Sequence, residues 1–191
     1  MLDERGHHAH YVELSKRQLN DTADGTEHES FNCLVPYLLG FDYLTTLVNE
    51  HVRSKLGKSA RGIIIIDEKE QFEADVACIT RFRRFEVTRA HRVKHVVEFS
   101  YSIDSRKHPM IQLSDLVVFC TKKFLEVDQG HRDEWPDPAK HFFASCYNRI
   151  HPRLIKSTII EQAGRHAARI NPVIQASALL PRLRWKAHYG V

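Results

Sequence analysis

Long apolar runs are absent from this chain of 191 residues: none approaches the roughly 20 residues that a membrane-spanning helix needs. The polar opening from Met1 to His10 also lacks the apolar core of a signal peptide, so a cytoplasmic setting with no membrane partner is the expectation. Cysteine is sparse. Cys33, Cys78, Cys120 and Cys146 are widely spaced and form no Cys-x-x-Cys pair, which argues against a zinc ribbon or a disulfide framework. Each falls in an apolar stretch and reads as a buried free thiol. There is no internal repeat and no phosphate-binding loop. Gly57-Lys58-Ser59 resembles the end of such a loop, but Val52 stands where its first glycine belongs, and the tripeptide follows a helical segment and leads into a strand, the reverse of what that loop requires.

What remains is ordinary globular composition, 42% apolar and 27% charged, in a length suited to one domain with a single core. The net charge of +4 is small but unevenly spread. Arg81, Arg83, Arg84, Arg89, Arg92 and Lys94 face only Glu86, and from Arg149 onward the basic residues face only Glu161. Such clusters suit a polyanion such as nucleic acid, and equally a solvated helix face followed by a basic tail. Arg81, Arg83 and Arg84, interleaved with Phe82 and Phe85, are the candidate nucleic-acid contacts. His7, His8 and His10 could ligate a metal, but at a polar terminus they read as an incidental run.

The most informative run is Ile63 to Ile66 followed by Asp67 and Glu68. Four consecutive isoleucines bounded by charge read as a strand buried on both faces, central in an α/β sheet. Such a strand delivers Asp67 to the carboxyl edge, where open α/β sheets bind ligands. Upstream, Leu44, Leu47, Val48 and Val52 recur at helical spacing, with a break expected near Pro36 and Gly40. Downstream, Phe72, Val76, Ile79 and Phe82 predict a helix, and Val93, Val97 and Phe99 predict a strand ending near Tyr101. A helix from Ile111 to Val127 follows, with Leu113, Leu116, Val117, Cys120 and Phe124 on its apolar stripe and Gln112 and Asp115 on another face. Asp137-Pro138 starts a further helix whose predicted stripe is Phe142, Phe143, Cys146, Tyr147 and Ile150.

Asp67-Glu68-Lys69 also fits the Asp/Glu-x-Lys strand ending of many metal-dependent endonucleases, a three-residue match only. More specific are Ser102-x-Asp104-Ser105 and Ile111-Gln112-Leu113-Ser114-Asp115-Leu116-Val117. With these the chain resembles domain-of-unknown-function family 3800, a divergent branch of the ribonuclease H-like fold, from about Tyr37 to Ile150. The resemblance implies an α/β fold, a mixed sheet flanked by helices, with acidic residues gathered at one edge. Asp67 and Asp115 would ligate Mg²⁺ or Mn²⁺, Asp104 or Glu68 would assist, and Gln112 would orient substrate or water. Hard cations of this kind take oxygen donors. Family members open with a strand carrying Asp-Glu-Ser-Gly; the nearest match here is Asp3-Glu4-Arg5-Gly6. The expectation is therefore a member lacking its opening strands: 1–29 poorly ordered, 30–150 the ribonuclease H-like domain, 151–191 a basic helical extension.

The function this implies is a divalent-metal-dependent nucleic-acid phosphodiesterase, inactive if the first catalytic strand is lost. The alternative is a non-catalytic binding or accessory module of a mobile-element or phage-defence system. Apolar surface left by absent strands would favour a homodimer.

Overall fold

In the computed structural model, which describes residues 8–23, 32, 35–67, 70–87, 92–154 and 171–191, the isoleucine run forms strand β1 (Gly62–Asp67). It pairs in parallel with β2 (Val96–Ile103), and among the described residues the sheet has these two strands only. Parallel neighbours need a crossover. Helix α3 (Glu73–Arg81) supplies it, entered through a 3₁₀ turn at Glu70–Phe72 and left through a π-helical turn at Phe82–Glu86. Of the predicted stripe, Val76 and Ile79 are buried, Phe72 packs half-buried against the main core, and Phe82, in the π-helical turn, is half-buried.

The strand is not buried on both faces. Ile64 packs, with Phe41 and Val48, against the buried Val93 and Val96, and Ile66 packs against the main core. Ile63 and Ile65 are 62% and 50% exposed, as is much of Tyr101, the register partner of Ile65. Successive side chains of a strand point to opposite faces, so helices on one side can cover only every second isoleucine. A continuous apolar run alone does not say how many faces will find a cover.

Helix α2 (Pro36–His51) carries that covering layer. Pro36 begins it, at a position where a missing N–H costs nothing. Gly40 does not break it, contrary to the expectation. A Cβ at Gly40 would stand 3.3 Å from Cγ1 of Val12, so the glycine lets the N-terminal segment lie close against the helix. The helix runs on through a π-helical turn, Val52–Leu56, and Gly57, at a left-handed φ of +99°, ends it.

The described parts of both flanking segments pack against the rest of the fold. Residues 8–23 are built into the fold: Ala9 and Leu14 form isolated bridges to Leu154 and Ala178, and α1 (Lys16–Ala23) packs on α6 (Asn171–Ser177) with Leu19 fully buried. At the other end Val173, Ile174 and Trp185 enter the main core, Trp185 from α7 (Trp185–Tyr189). Sparse apolar residues at each end gave no periodicity. They acquire burial from one another across the chain.

The long predicted helix is α4 (Pro109–Asp128), packed on α5 (Asp137–Ile150). Phe124 stacks on Tyr147 at 4.2 Å, and the Trp185 ring meets both edge-on at 5.0 and 5.1 Å. The buried stripe is narrower than predicted: Leu116 and Phe142 are more than half exposed, while Val117, Cys120, Phe124, Ala144, Tyr147 and Ile150 are buried. Cys33 lies outside the described residues. No helix among the described residues is long and apolar enough to cross a membrane.

Candidate functional site

The parallel pairing decides where the acidic residues go. Asp67 is the last residue of β1 and stands opposite Ile103, the last residue of β2, so Asp104 follows at the same edge. Neighbouring strands run about 4.8 Å apart, which makes Asp67 and Asp104 near neighbours at the carboxyl end of the sheet.

Asp104 is already engaged. Its Oδ1 accepts from the backbone N–H and the Nε of Arg106, both at 3.0 Å, and its Oδ2 accepts from Arg106 Nη2 at 3.2 Å. Lys107 Nζ lies 3.6 Å away. This is an Asp-initiated turn, the 3₁₀ segment Ser105–Lys107 closing on the carboxylate before α4 begins. The Arg106 hydrogen bonds hold the Asp104 carboxyl well below the usual range, at about 2. Gln112, in the first turn of α4, donates from Nε2 to the Arg106 carbonyl at 3.2 Å. That bond ties the helix start to the turn.

Asp67 is half-buried. Beside it stands Tyr37, which sequence reasoning did not place in the site: its hydroxyl is pushed up first by burial and then by the Asp67 charge, and its ring stacks on Phe72 at 4.6 Å. The available signal was Pro36-Tyr37 at a helix start, since the first turn of α2 reaches the same edge. Asp115 is exposed on α4. Glu68 and Lys69 lie outside the described residues. Among the described residues no three His, Cys, Asp or Glu side chains are grouped as a metal-ligand set.

The arginine trio separates. Arg83 is not a surface cation: it is 3% exposed and its Nε lies 3.2 Å from Oδ1 of the fully buried Asp42, while Nη2 donates to the Thr46 hydroxyl. The π-helical turn after α3 rotates this residue inward onto α2 and removes it from the predicted nucleic-acid contacts. Arg81 remains exposed and pairs with Glu86 at 2.8 Å. Arg84 donates to the Val97 carbonyl and lies 5.1 Å from the Phe85 ring centre.

A separate cleft of about 510 Å³ lies at the far end of the helical layer, lined by Asp133, Asp137, Lys140, His141, Arg182 and His188 among others. None of the metal-ligand, catalytic or nucleic-acid-contact candidates read from the sequence lines it. No family model matches the chain, and no curated protein or solved structure matches it either.

Proposed function

We propose that this protein is a divalent-metal-dependent nucleic-acid phosphodiesterase on a ribonuclease H-like scaffold, with Asp67 at the centre of its site. The observation that carries the reading is the parallel register of β1 and β2, which brings Asp67 and Asp104 to one carboxyl edge. Oxygen donors of this type fit Mg²⁺ or Mn²⁺ in kind. Their number and commitments do not yet fit: Arg106 and Lys107 hold Asp104, so Asp104 has to exchange a guanidinium for the ion before it can ligate. Asp115 and Glu68 are the further candidate ligands. The chemistry a bound ion pair supplies in such enzymes is activation of water and stabilisation of the leaving oxygen. Gln112 supports the turn that carries Asp104, and Arg81 and Arg84 are the cations this reading assigns to the nucleic-acid strand.

The Asp104–Arg106 clamp favours a second reading, a non-catalytic nucleic-acid-binding or accessory module that uses the same edge without metal. A thermal-shift titration with Mn²⁺ separates the two, because an ion that binds only the native state raises its apparent stability by about 2.7 kcal/mol at a hundredfold excess over Kd. On the enzyme reading the wild type shifts, Asp67→Asn does not, and Arg106→Ala shifts at lower Mn²⁺ because Asp104 is released. The same proteins are then assayed for cleavage of labelled single- and double-stranded DNA and RNA. No Mn²⁺ response in wild type or Arg106→Ala, together with salt-sensitive nucleic-acid binding, would establish the module instead.

A further inference from the structure

The docked N-terminal segment also creates a histidine cluster that the sequence order conceals. Ala9 bridges Leu154 in parallel, and its N–H donates to the Arg153 carbonyl at 3.0 Å. Residues on either side of a bridged position in extended backbone project to the same side, so His8 and His10 share one side of this segment. Both meet His51, the last residue of α2: its ring centre lies 6.3 Å from that of His8 and 5.8 Å from that of His10. His51 is far from them in sequence, and only the docking of the segment beside α2 joins the three.

Both ring nitrogens of His10 are buried, and neither has a hydrogen-bond partner among the described residues. Buried polar groups are nearly always satisfied, and an orphaned one beside other donor groups is a characteristic mark of an ion or water that belongs there. Imidazole is the commonest metal ligand, and a half-buried ring whose two nitrogens are buried and idle, facing a second imidazole, matches that role better than it matches an apolar core.

Dimensions agree. Two imidazoles sharing one tetrahedral ion at metal–nitrogen distances of about 2.0–2.1 Å stand with ring centres about 5 Å apart. The separations of His8 and His10 from His51 exceed that by about 1 Å. The rings are therefore poised near a ligand geometry without having converged on it, in keeping with the lack of a ready-made ligand group among the described residues.

We propose that His8, His10 and His51 form a site for a borderline transition-metal ion of the Zn²⁺ class, which pins the N-terminal segment to the end of α2. Three imidazoles leave a fourth position for water or an exogenous ligand. Nitrogen donors select Zn²⁺, Ni²⁺ or Cu²⁺ over Mg²⁺, so the site is chemically distinct from the carboxyl edge.

The test uses the full chain without any added histidine tag, titrated with Zn²⁺ by calorimetry and with Co²⁺ by visible absorption. Wild type should bind one ion, and the Co²⁺ form should show the intense d–d bands of a tetrahedral site. His51→Gln should weaken binding at least tenfold and abolish those bands. His8→Gln, an exposed position that leaves the fold undisturbed, should do the same, and far-UV circular dichroism of each metal-free variant checks that the fold survives. No binding by wild type would overturn the proposal. So would unchanged affinity in His51→Gln, since the metal would then be held by the local run His7, His8 and His10 alone.

Discussion

Replacing Asp42 by Asn should be among the most damaging conservative changes in this protein. Asp42 is fully buried in α2, and its partner Arg83, in the turn that follows α3, is 3% exposed. At 3.2 Å and an effective dielectric of about 20, the attraction between the two charges is about 5 kcal/mol. Arg83 also donates to Thr46, and its carbonyl accepts the Val93 N–H at 3.0 Å, so the arginine joins α2, the turn after α3 and the approach to β2. Asn keeps the shape and removes the charge, which leaves a guanidinium buried without its counter-charge. Breaking such a pair costs about 3–5 kcal/mol, a large part of the roughly 5–15 kcal/mol that holds a typical domain folded. Urea denaturation followed by circular dichroism reads this directly: with a slope of roughly 2 kcal/mol/M, the midpoint should fall by about 2 M. The double replacement Asp42→Leu with Arg83→Met should recover most of the loss, because apolar groups of similar volume need no partner. A midpoint for Asp42→Asn within about 0.5 M of wild type, equivalent to about 1 kcal/mol, would refute the reasoning and return Arg83 to the surface.

The exposed face of β1 makes Ile65→Thr nearly neutral, within about 0.5 kcal/mol, whereas Ile79→Ala in the core should cost about 2–5 kcal/mol; equal costs in chemical denaturation would mean that both faces of the strand are covered. Trp185→Ala should cost about 3–5 kcal/mol and weaken the near-UV circular dichroism, and an unchanged melting curve would show that the C-terminal segment stands apart from the core. Glu126 gives the pH dependence. Burial pushes its carboxyl up, but hydrogen bonds from Lys123 at 3.0 Å and Arg132 at 2.9 Å outweigh that and hold it below its ordinary value of 4.5. The unfolded chain therefore binds the proton more readily, so this contribution is present above pH 4.5 and is lost as pH falls below it. Glu126→Gln should flatten the acid limb of stability against pH, and an identical limb in that variant would remove the cause.

Elements whose apolar residues repeat at a helical period were legible in advance. Val76 and Ile79 mark α3, Val117, Cys120 and Phe124 mark α4, and these central positions of each predicted stripe are buried. Local chemistry is enough for this, since a helix stripe is set by residues three and four apart. The isoleucine run was legible as a strand and Asp67 as its terminus, but the number of covered faces was not, because that depends on neighbours supplied by distant parts of the chain. In the same way Leu116 and Phe142 have the right residue type for a buried stripe and stand at positions where no partner reaches them.

The candidate site divides along the same line. Sequence alone determined which residues are hard oxygen donors, that Asp67 closes a strand, and that Asp104 precedes a helix start, all of which follow from residue type and local order. Tertiary structure decided that the strands run parallel and so share an edge, that Arg106 claims Asp104, and that Arg83 turns inward to Asp42. It also decided that His8, His10 and His51 meet. The physical reason is common to these cases: pairing, burial of a charge and convergence of side chains are relations between segments remote in sequence, which local periodicity does not encode.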